Sequence, residues 1–227
     1  MTPFLNGVAK AMATAFAPAG PVLEVGSYQV DGQSELINLR GLFPNAAEYT
    51  GIDIRQGPGV DRVASVEKLP FADASFGCVL AFNTFEHVQR FWIGFEEVFR
   101  VLKPDGVLLM SVPFHFRIHN HPSDYWRFTP EALDVLLDRY AMRLVGWHGP
   151  EKRPANVWAA AFRERAKAPS DAQLATYRQT LTDHVKGLPS KPWQTFKYSV
   201  GQVLFGRRPF AQALDHNAWG SRLSQAA

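Results

Sequence analysis

The sequence predicts an α/β fold with a doubly wound, mostly parallel sheet, and three observations carry that prediction. Short apolar runs that suit buried strands alternate along the chain with segments of helical periodicity. The first run, residues 22–25, leads directly into Gly26, where bare backbone can approach a ligand. The second run, residues 49–53, ends in Asp53, whose carboxylate can accept hydrogen bonds from two ribose hydroxyls. Together these features indicate a nucleoside-bearing cofactor on the sheet.

The predicted elements alternate in the order that such a sheet requires. Seven strands are expected, at 22–25, 49–53, 62–66, 77–82, 107–112, 142–148 and 156–163. Helices are expected near the N-terminus and at 32–42, 88–102 and 130–140. The helix at 130 has a good start, since Thr129 can cap it and Pro130 suits its first position. A turn is expected at Lys103-Pro104-Asp105-Gly106, and the last two strands are expected to form a hairpin at the sheet edge.

Composition bounds the class of protein. The 227 residues are 46% hydrophobic, which is enough for one α/β domain with a sizeable core. Cys78, the single cysteine, lies in an apolar run and is expected to be a buried core residue. We find no convincing signal peptide and no stretch long enough to span a membrane. We therefore expect a cytoplasmic protein without disulfides.

Charge divides the chain into two parts. Residues 1–151 hold 12 Lys/Arg against 17 Asp/Glu, whereas residues 152–227 hold 12 against 4. The sequence predicts a cofactor-binding domain at 1–165 and a basic, mainly helical C-terminal extension at 166–227. Ser170-Asp171 is expected to start a helix that runs to about Lys186, and the last dozen residues are candidates for disorder. The extension could mediate a homodimer or a biosynthetic complex, or simply keep a helix soluble.

Five short motifs occur in a fixed order. They are Glu24-x-Gly26, Asp53 after the second strand, Leu69-Pro70-Phe71 with Ser75-Phe76, Asn83 to His87, and Leu102 to Gly106. Over residues 20–140 this set resembles the class I S-adenosylmethionine-dependent methyltransferases, in particular their type 11 methyltransferase-domain branch. The resemblance implies a Rossmann-like fold, S-adenosyl-L-methionine as cofactor and methyltransferase activity.

The resemblance also implies which residues hold the cofactor. Those that match the family's motifs are Glu24, Gly26, Ser27 and Tyr28 after the first strand, Asp53 and Ile54 after the second, Ser65 and Val66 near the adenine, and Asn83 and Thr84 after the fourth strand. Four positions depart from the usual pattern, and one of them is Gly77, which stands where an acidic residue usually follows Phe76. Tyr28 and Val30 stand where glycine is common, and Ser65 replaces an acidic residue, a change expected to weaken contacts with the adenine.

The segment from His115 to Thr129 holds three histidines, an aspartate and two arginines beyond the fifth strand. A similar His-Pro-x-Asp-Tyr-x-Arg-Phe-Thr run recurs in bacterial methyltransferases associated with sugar and surface-polysaccharide biosynthesis. Because transfer to a hydroxyl benefits from a base of near-neutral pKa, we predict His87, His121 and Asp124 as catalytic, with His119 a further candidate. Structural alternatives remain open: His87 could cap the following helix, and Asp124 could pair with Arg127.

Metal binding is not predicted. His115, His119 and His121 offer imidazoles, but their spacing matches no compact metal site. Glu24 has a structural alternative as well, which is to cap the backbone of its own loop.

The expected acceptor is a small molecule or a glycan, methylated at oxygen. A nicotinamide-dependent oxidoreductase would require Gly-x-Gly-x-x-Gly, which the run after Gly26 does not supply. An RNA methyltransferase would suit the basic extension, but the chain shows neither an RNA-binding module nor an Asn-Pro-Pro-Tyr motif after the fourth strand. A non-catalytic partner that keeps the fold and methylates nothing is the third alternative.

Overall fold

A single mixed sheet organises the structure. The computed structural model describes residues 1–16, 20–30, 34–164, 168–189 and 217–226, together with single residues at 196, 200 and 203. In this part of the chain the helices are α1 Pro3–Phe16, α2 Ser34–Ile37, α3 Phe91–Val101, α4 Pro130–Leu136 and α5 Asp171–Lys186. The strands are β1 Val22–Val25, β2 Tyr49–Asp53, β3 Arg62–Val63, β4 Phe76–Phe82, β5 Leu102–Pro113, β6 Met142–His148, β7 Asn156–Phe162 and β8 Trp219–Gln225.

The strand order of this sheet is β3-β2-β1-β4-β5-β7-β6-β8. β1, β2, β3, β4 and β5 run parallel, and β1 lies between β2 and β4 with all four of its residues buried. The chain order reverses between β1 and β4, so the loops that follow these two strands open a crevice at their carboxyl ends. The predicted Rossmann-like α/β fold is therefore confirmed, with an antiparallel part that makes the sheet mixed.

The antiparallel part contains one strand more than predicted. β6 and β7 form the expected hairpin, but β8 pairs with β6 along its whole length, from Met142 opposite Gln225 to His148 opposite Trp219. The expectation that the last residues are disordered is wrong for 219–225. Their sequence hides the strand because its side chains are mostly small or polar, and pairing with β6 supplies the order instead.

Helices cover both faces of the sheet. α3 and α4 contribute Phe95, Val98 and Leu133 to a core on one face. On the other face α1 packs against α5, and both contribute to a second core with Trp158 of β7. Ser170 caps α5 as predicted, because its side chain accepts a hydrogen bond from the backbone N–H of Gln173. The helix ends at Lys186, as expected. The described C-terminal elements, α5 and β8, thus belong to the helical layer of α1 and to the sheet.

Several boundaries differ from those predicted. β5 begins at Leu102 and includes the expected turn at 103–106, since Phe76 pairs with Leu102 and Cys78 with Val107, with a register irregularity between the two pairs. The helix expected at 32–42 is reduced to α2 and a 3₁₀ turn at Arg40–Leu42, with residues 31–33 outside the described part. A 3₁₀ turn at Phe85–His87 precedes α3, and α4 ends four residues early. Thr129 caps α4 as predicted.

No helix within the described ranges is long and apolar enough to cross a lipid bilayer. The predicted division at residue 165 stays a prediction. The basic extension was predicted at 166–227, and most of its residues after 189 lie outside the described part of the chain.

Candidate functional site

A cleft of about 1070 Å³ lies at the carboxyl ends of the parallel strands. Pockets for small ligands usually measure about 300–1,000 Å³, so this cleft is large enough for two ligands side by side. One half is lined by the loops after β1, β2, β3 and β4. The other half is lined by the loop after β5, the start of α1 and residues from β6 and β7. The two halves meet at Thr84, Glu86 and His87.

The loop after β1 approaches the loop after β4 very closely. Gly26 has a φ of +80°, which favours glycine, and a Cβ added there would lie 2.4 Å from Oγ1 of Thr84. The Thr84 hydroxyl donates a hydrogen bond to the carbonyl oxygen of Val25 at 2.9 Å. The sequence therefore needs glycine at 26 for two reasons, and the backbone of this loop is left bare on the cleft.

Glu24 lies at the floor of the cleft with an unusual protonation equilibrium. Its Oε2 accepts a hydrogen bond from the Tyr49 hydroxyl at 2.6 Å. Burial raises the pKa of Glu24 to about 7, against the opposing effects of this hydrogen bond and of Arg40. A ligand that brings hydrogen-bond donors or positive charge therefore stabilises the ionised form of this carboxyl group. The alternative role was to cap the backbone of its own loop, but among the described residues the Glu24 side chain accepts a hydrogen bond from Tyr49 and from no backbone N–H of that loop.

Asp53 is held ready at the end of β2. Its Oδ1 accepts hydrogen bonds from the backbone N–H of Arg55 at 2.9 Å and from Nε of Arg55 at 3.3 Å. The Arg55 guanidinium in turn stacks over the Tyr28 ring, 4.3 Å from its centre. Oδ2 makes no hydrogen bond in the described part of the chain, so one face of the carboxylate is left for hydroxyl donors. Ile54 beside it is half exposed and lines the cleft.

Nine of the ten residues predicted to hold the cofactor line the cleft, namely Glu24, Gly26, Tyr28, Asp53, Ile54, Ser65, Val66, Asn83 and Thr84. Ser27 is the one that does not. Its hydroxyl is buried against Gly51 in β2, where a Cβ would lie 2.7 Å from it. Asn83 adopts a positive φ of +52°, and its Oδ1 accepts a hydrogen bond from the Ser111 hydroxyl at 3.1 Å. This bond fixes the loop after β4 to β5.

The predicted catalytic histidines line the second half of the cleft. Nδ1 of His87 lies 2.6 Å from the carbonyl oxygen of Ser123. His119 and His121 surround it, with ring centres 4.8 and 6.0 Å away. Burial lowers the pKa of both His87 and His121, so both favour the neutral imidazole. His87 is not a cap for α3, which begins only at Phe91.

Asp124 does not line the cleft but positions a residue that does. Its side chain is 1% exposed, and Oδ2 lies 2.8 Å from Nδ1 of His119 and 3.0 Å from the backbone nitrogen of that residue. The Arg127 guanidinium grips the same carboxylate through two nitrogens. This pair holds the pKa of Asp124 far below its ordinary value. The alternative ion pair with Arg127 is present, and the histidine that Asp124 contacts is His119.

Glu86 is a site residue that the sequence reading missed. It is completely buried, yet neither of its carboxylate oxygens accepts a hydrogen bond from a described residue. Burial raises its pKa to about 8, with Asp124 acting in the same direction. Its Oε1 lies 3.7 Å from Nε2 of His87. The only signal in the sequence is its place beside His87 directly after a buried strand, the position where ligand-binding side chains collect.

Comparisons with known proteins agree with this geometry. Residues 32–110 match the family model of a methyltransferase domain. The phthiotriol/phenolphthiotriol dimycocerosates methyltransferase 1 of Mycobacterium ulcerans is 40% identical over 105 residues, covering 40% of this chain and 36% of that protein. A probable S-adenosylmethionine-dependent methyltransferase of Mycolicibacterium smegmatis is 39% identical over 67 residues, 30% of this chain and 23% of that one. The alignments thus span little more than a third of these relatives at most.

Two solved structures share the fold. The 1,6-didemethyltoxoflavin-N1-methyltransferase of Burkholderia thailandensis, solved with S-adenosylhomocysteine, has a TM-score of 0.51 at 20% identity and covers 69% of this chain and 77% of its own. The YcgJ protein of Bacillus subtilis has a TM-score of 0.50 at 17% identity, covering 83% and 87%.

The strand order and the cleft at the carboxyl ends of the parallel strands are those of a Rossmann-like α/β fold. Together with the comparisons, they support a class I S-adenosylmethionine-dependent methyltransferase. The resemblance to the type 11 branch is confirmed by the family-model match over residues 32–110.

Proposed function

We propose that the protein transfers the methyl group of S-adenosyl-L-methionine to a hydroxyl group of a small-molecule or glycan acceptor. The observation that carries this proposal is the single cleft whose two halves meet at Thr84 and His87. One half offers the groups that a nucleoside with an amino-acid tail requires, and the other offers imidazoles beside an apolar wall. A methyl donor and its acceptor can therefore bind in line.

In the cofactor half, Asp53 would bind the two ribose hydroxyls through its free oxygen, and Glu24 would lie under the methionine part. The bare backbone at Gly26 would face the same part, with Asn83 and Thr84 below it. Ile54, Ser65 and Val66 would border the adenine, and Tyr28 would close over the ligand. Ser27 would support this loop from behind, since its hydroxyl is buried.

In the acceptor half, alignment carries most of the rate enhancement, because the sulfonium methyl is already activated. Transfer to oxygen also requires the loss of a proton from the hydroxyl. His87 and His121 line this part of the cleft and favour the neutral state, so their rings can hold an incoming hydroxyl. Asp124 would act through His119, whose ring it fixes at 2.8 Å.

The acceptor class is supported by the walls of this half. Phe116, Pro122 and Tyr125 offer apolar surface, while His115 and Arg117 offer polar groups. The relative from Mycobacterium ulcerans is named for phthiotriol and phenolphthiotriol dimycocerosates, which are lipids. The neighbour from Burkholderia thailandensis is named for 1,6-didemethyltoxoflavin, a small molecule. Neither comparison names a glycan, so the proposal of a glycan acceptor is supported by the His-Pro-x-Asp-Tyr run alone. The cytoplasmic location and an assembly through the C-terminal extension stay predictions.

The test is transfer of a radioactive methyl group. The protein would be incubated with methyl-labelled S-adenosyl-L-methionine and separate soluble, glycan, lipid and RNA fractions of a bacterial extract, with Asp53→Ala as the matched control. We expect label in the soluble or glycan fraction, and much less in every fraction with the variant at a cofactor concentration that does not saturate it. Label confined to RNA would contradict the acceptor class. Cofactor binding without label in any fraction would favour the non-catalytic alternative.

A further inference from the structure

Three side chains that line the cleft converge on one point near the place where its two halves meet. A carboxylate oxygen of Glu86 and one ring nitrogen each from His87 and His119 lie within 4.8 Å of one another. Glu86 and His87 come from the 3₁₀ turn after β4, and His119 comes from the loop after β5. The set is therefore assembled by the fold, and it differs from the three loop histidines whose spacing the sequence offered.

Nδ1 of each histidine lies against an oxygen atom, which leaves the lone pair of Nε2 available at this point. A carbonyl oxygen can only accept, so Nδ1 of His87, at 2.6 Å from Ser123, carries the proton and Nε2 carries the lone pair. Nδ1 of His119 lies 2.8 Å from Oδ2 of the ionised Asp124 without the geometry of a hydrogen bond, and the negative charge there favours the proton on Nδ1, which leaves the lone pair on Nε2. Metal-binding histidines show this arrangement, in which the second nitrogen donates to a carbonyl or a carboxylate.

Glu86 supplies the independent observation that a ligand is missing from this point. A completely buried carboxyl group without any hydrogen bond is costly, and native structures rarely leave one uncompensated. Two cations act on Glu86 without a hydrogen bond to it: the Arg127 guanidinium, which is already bound to Asp124 through two nitrogens, and the N-terminal ammonium of Met1. A cation among Glu86, His87 and His119 would satisfy the carboxylate and both lone pairs at once.

We propose that Glu86, His87 and His119 bind a divalent transition-metal ion, with zinc as the best match. Two imidazoles and one carboxylate form the ligand set of catalytic zinc sites and of non-haem iron sites, whereas magnesium and calcium prefer oxygen ligands. Ligands at about 2.1 Å from a tetrahedral ion are roughly 3.4 Å apart, so the site closes by movements of about 1 Å. The fourth position would face the cleft beside His121, whose ring centre is 5.6 Å from that of His119.

The site has a consequence for the reaction, and that part rests on the proposed function. A hydroxyl group bound at the open position loses its proton at lower pH than a free one, because the ion stabilises the alkoxide. The alkoxide oxygen would then attack the methyl carbon, the carbon–sulfur bond would break toward sulfur, and the proton would pass to water. The histidines would then act as ligands, with no imidazole required as the base.

Metal binding can be tested without the acceptor. Tag-free protein would be stripped with a chelator, dialysed, and titrated with zinc chloride by calorimetry and with cobalt chloride by visible absorption. We expect one ion per chain and the absorption bands of tetrahedral cobalt. Glu86→Gln and His119→Ala should each weaken zinc binding at least tenfold. His115→Ala, which removes an exposed histidine of the same loop, should leave it unchanged.

Thermal unfolding of the metal-free proteins separates a ligand from a structural residue. Glu86→Gln removes an ionisable group that is buried without a hydrogen bond and keeps the side-chain volume, so its midpoint should equal or exceed that of the wild type while the zinc-induced rise is lost. His87→Ala and His119→Ala, at less buried positions, carry the test if Glu86→Gln does not fold.

Three results would overturn the site: no zinc binding by the wild type, unchanged binding by Glu86→Gln, or equal loss in His115→Ala and His119→Ala. S-adenosylhomocysteine binding would be measured on the same samples. Failure of zinc with intact binding of this product removes only the metal site. Zinc binding without S-adenosylhomocysteine binding would remove only the proposed methyl transfer.

Discussion

Gly26 and Thr84 lie in such close contact that a Cβ on the glycine would be 2.4 Å from the threonine hydroxyl oxygen. This contact joins the loop after β1 to the loop after β4, and the hydrogen bond from Thr84 to Val25 closes it. The cofactor half of the cleft is therefore built around a glycine whose neighbours cannot move apart without breaking that bond. Its role can be tested by adding one carbon atom.

Gly26→Ala should destabilise the protein by about 1–3 kcal/mol, because alanine at a φ of +80° is strained and its Cβ collides with Thr84. Binding of S-adenosylhomocysteine should weaken in the same variant. Urea unfolding and calorimetry measure the two effects. Gly41→Ala is the control, since no atom lies within 4 Å of a Cβ there, and it should change stability by less than about 0.5 kcal/mol. Equal effects of the two substitutions would contradict this description of the loop.

Glu24→Gln should change stability and cofactor affinity in opposite directions. The folded protein raises the pKa of Glu24 from 4.5 to about 7, so the fold favours the neutral acid. The wild type therefore loses stability relative to the variant as pH rises from about 4.5 to 7, and the difference is constant above that. At pH 8 the variant should be more stable by about 3 kcal/mol, and at pH 4 the two should agree.

Glu24→Gln should bind the cofactor more weakly than the wild type, although it should be the more stable protein at pH 8. A ligand that donates hydrogen bonds to the Glu24 carboxylate binds its ionised form, so wild-type affinity should rise as pH approaches 7, and the variant should lack this rise. Unfolding and calorimetry at pH 4, 6 and 8 provide both readouts, with the exposed Glu48→Gln as control. A loss of stability in Glu24→Gln at pH 8 would indicate a purely structural residue.

Asp53→Ala should weaken cofactor binding by about 1–3 kcal/mol, which is the cost of losing hydrogen bonds to a charged group. The Arg55 side chain loses its partner in the same variant, so circular dichroism must show an unchanged fold. Asp105→Ala, an exposed aspartate outside the cleft, should bind as the wild type does. Unchanged affinity in Asp53→Ala would remove the ribose assignment.

Asp124→Asn should loosen the loop that carries the histidines. The substitution breaks a buried pair with Arg127 and the contact with His119, and such losses cost about 3–5 kcal/mol. Limited proteolysis should cut residues 115–125 faster in the variant. Asp183→Asn, which breaks an exposed pair with Lys186, should cost under about 1 kcal/mol. Equal protease resistance of Asp124→Asn and the wild type would show that the pair does not hold the loop.

The sequence was sufficient to predict the parts of the site that lie in strand–loop motifs. Gly26, Asp53 and Thr84 follow buried apolar runs, and the rule that ligands bind at the carboxyl ends of parallel strands brings them together. Local spacing also predicted the caps at Thr129 and Ser170, because a cap depends on residues three positions away.

Long-range contacts account for what the sequence did not predict. The burial of Glu86 depends on the loop after β5 folding over it, and no local pattern encodes that. The same holds for Asp124, whose contact with His119 needs the bend of the loop. β8 carries little hydrophobic alternation, so only its pairing with β6 and the ion pair of Arg222 with Asp134, at 2.8 Å, reveal it.

The most direct measurement of the central claim is calorimetric titration of the folded wild-type protein with S-adenosylhomocysteine, in parallel with Asp53→Ala and Asp105→Ala. The predicted result is one binding site per chain in the wild type and in Asp105→Ala, with an affinity lower by a factor of about 5–150 in Asp53→Ala. The absence of heat for both this compound and S-adenosyl-L-methionine, in protein that unfolds cooperatively, would contradict the claim.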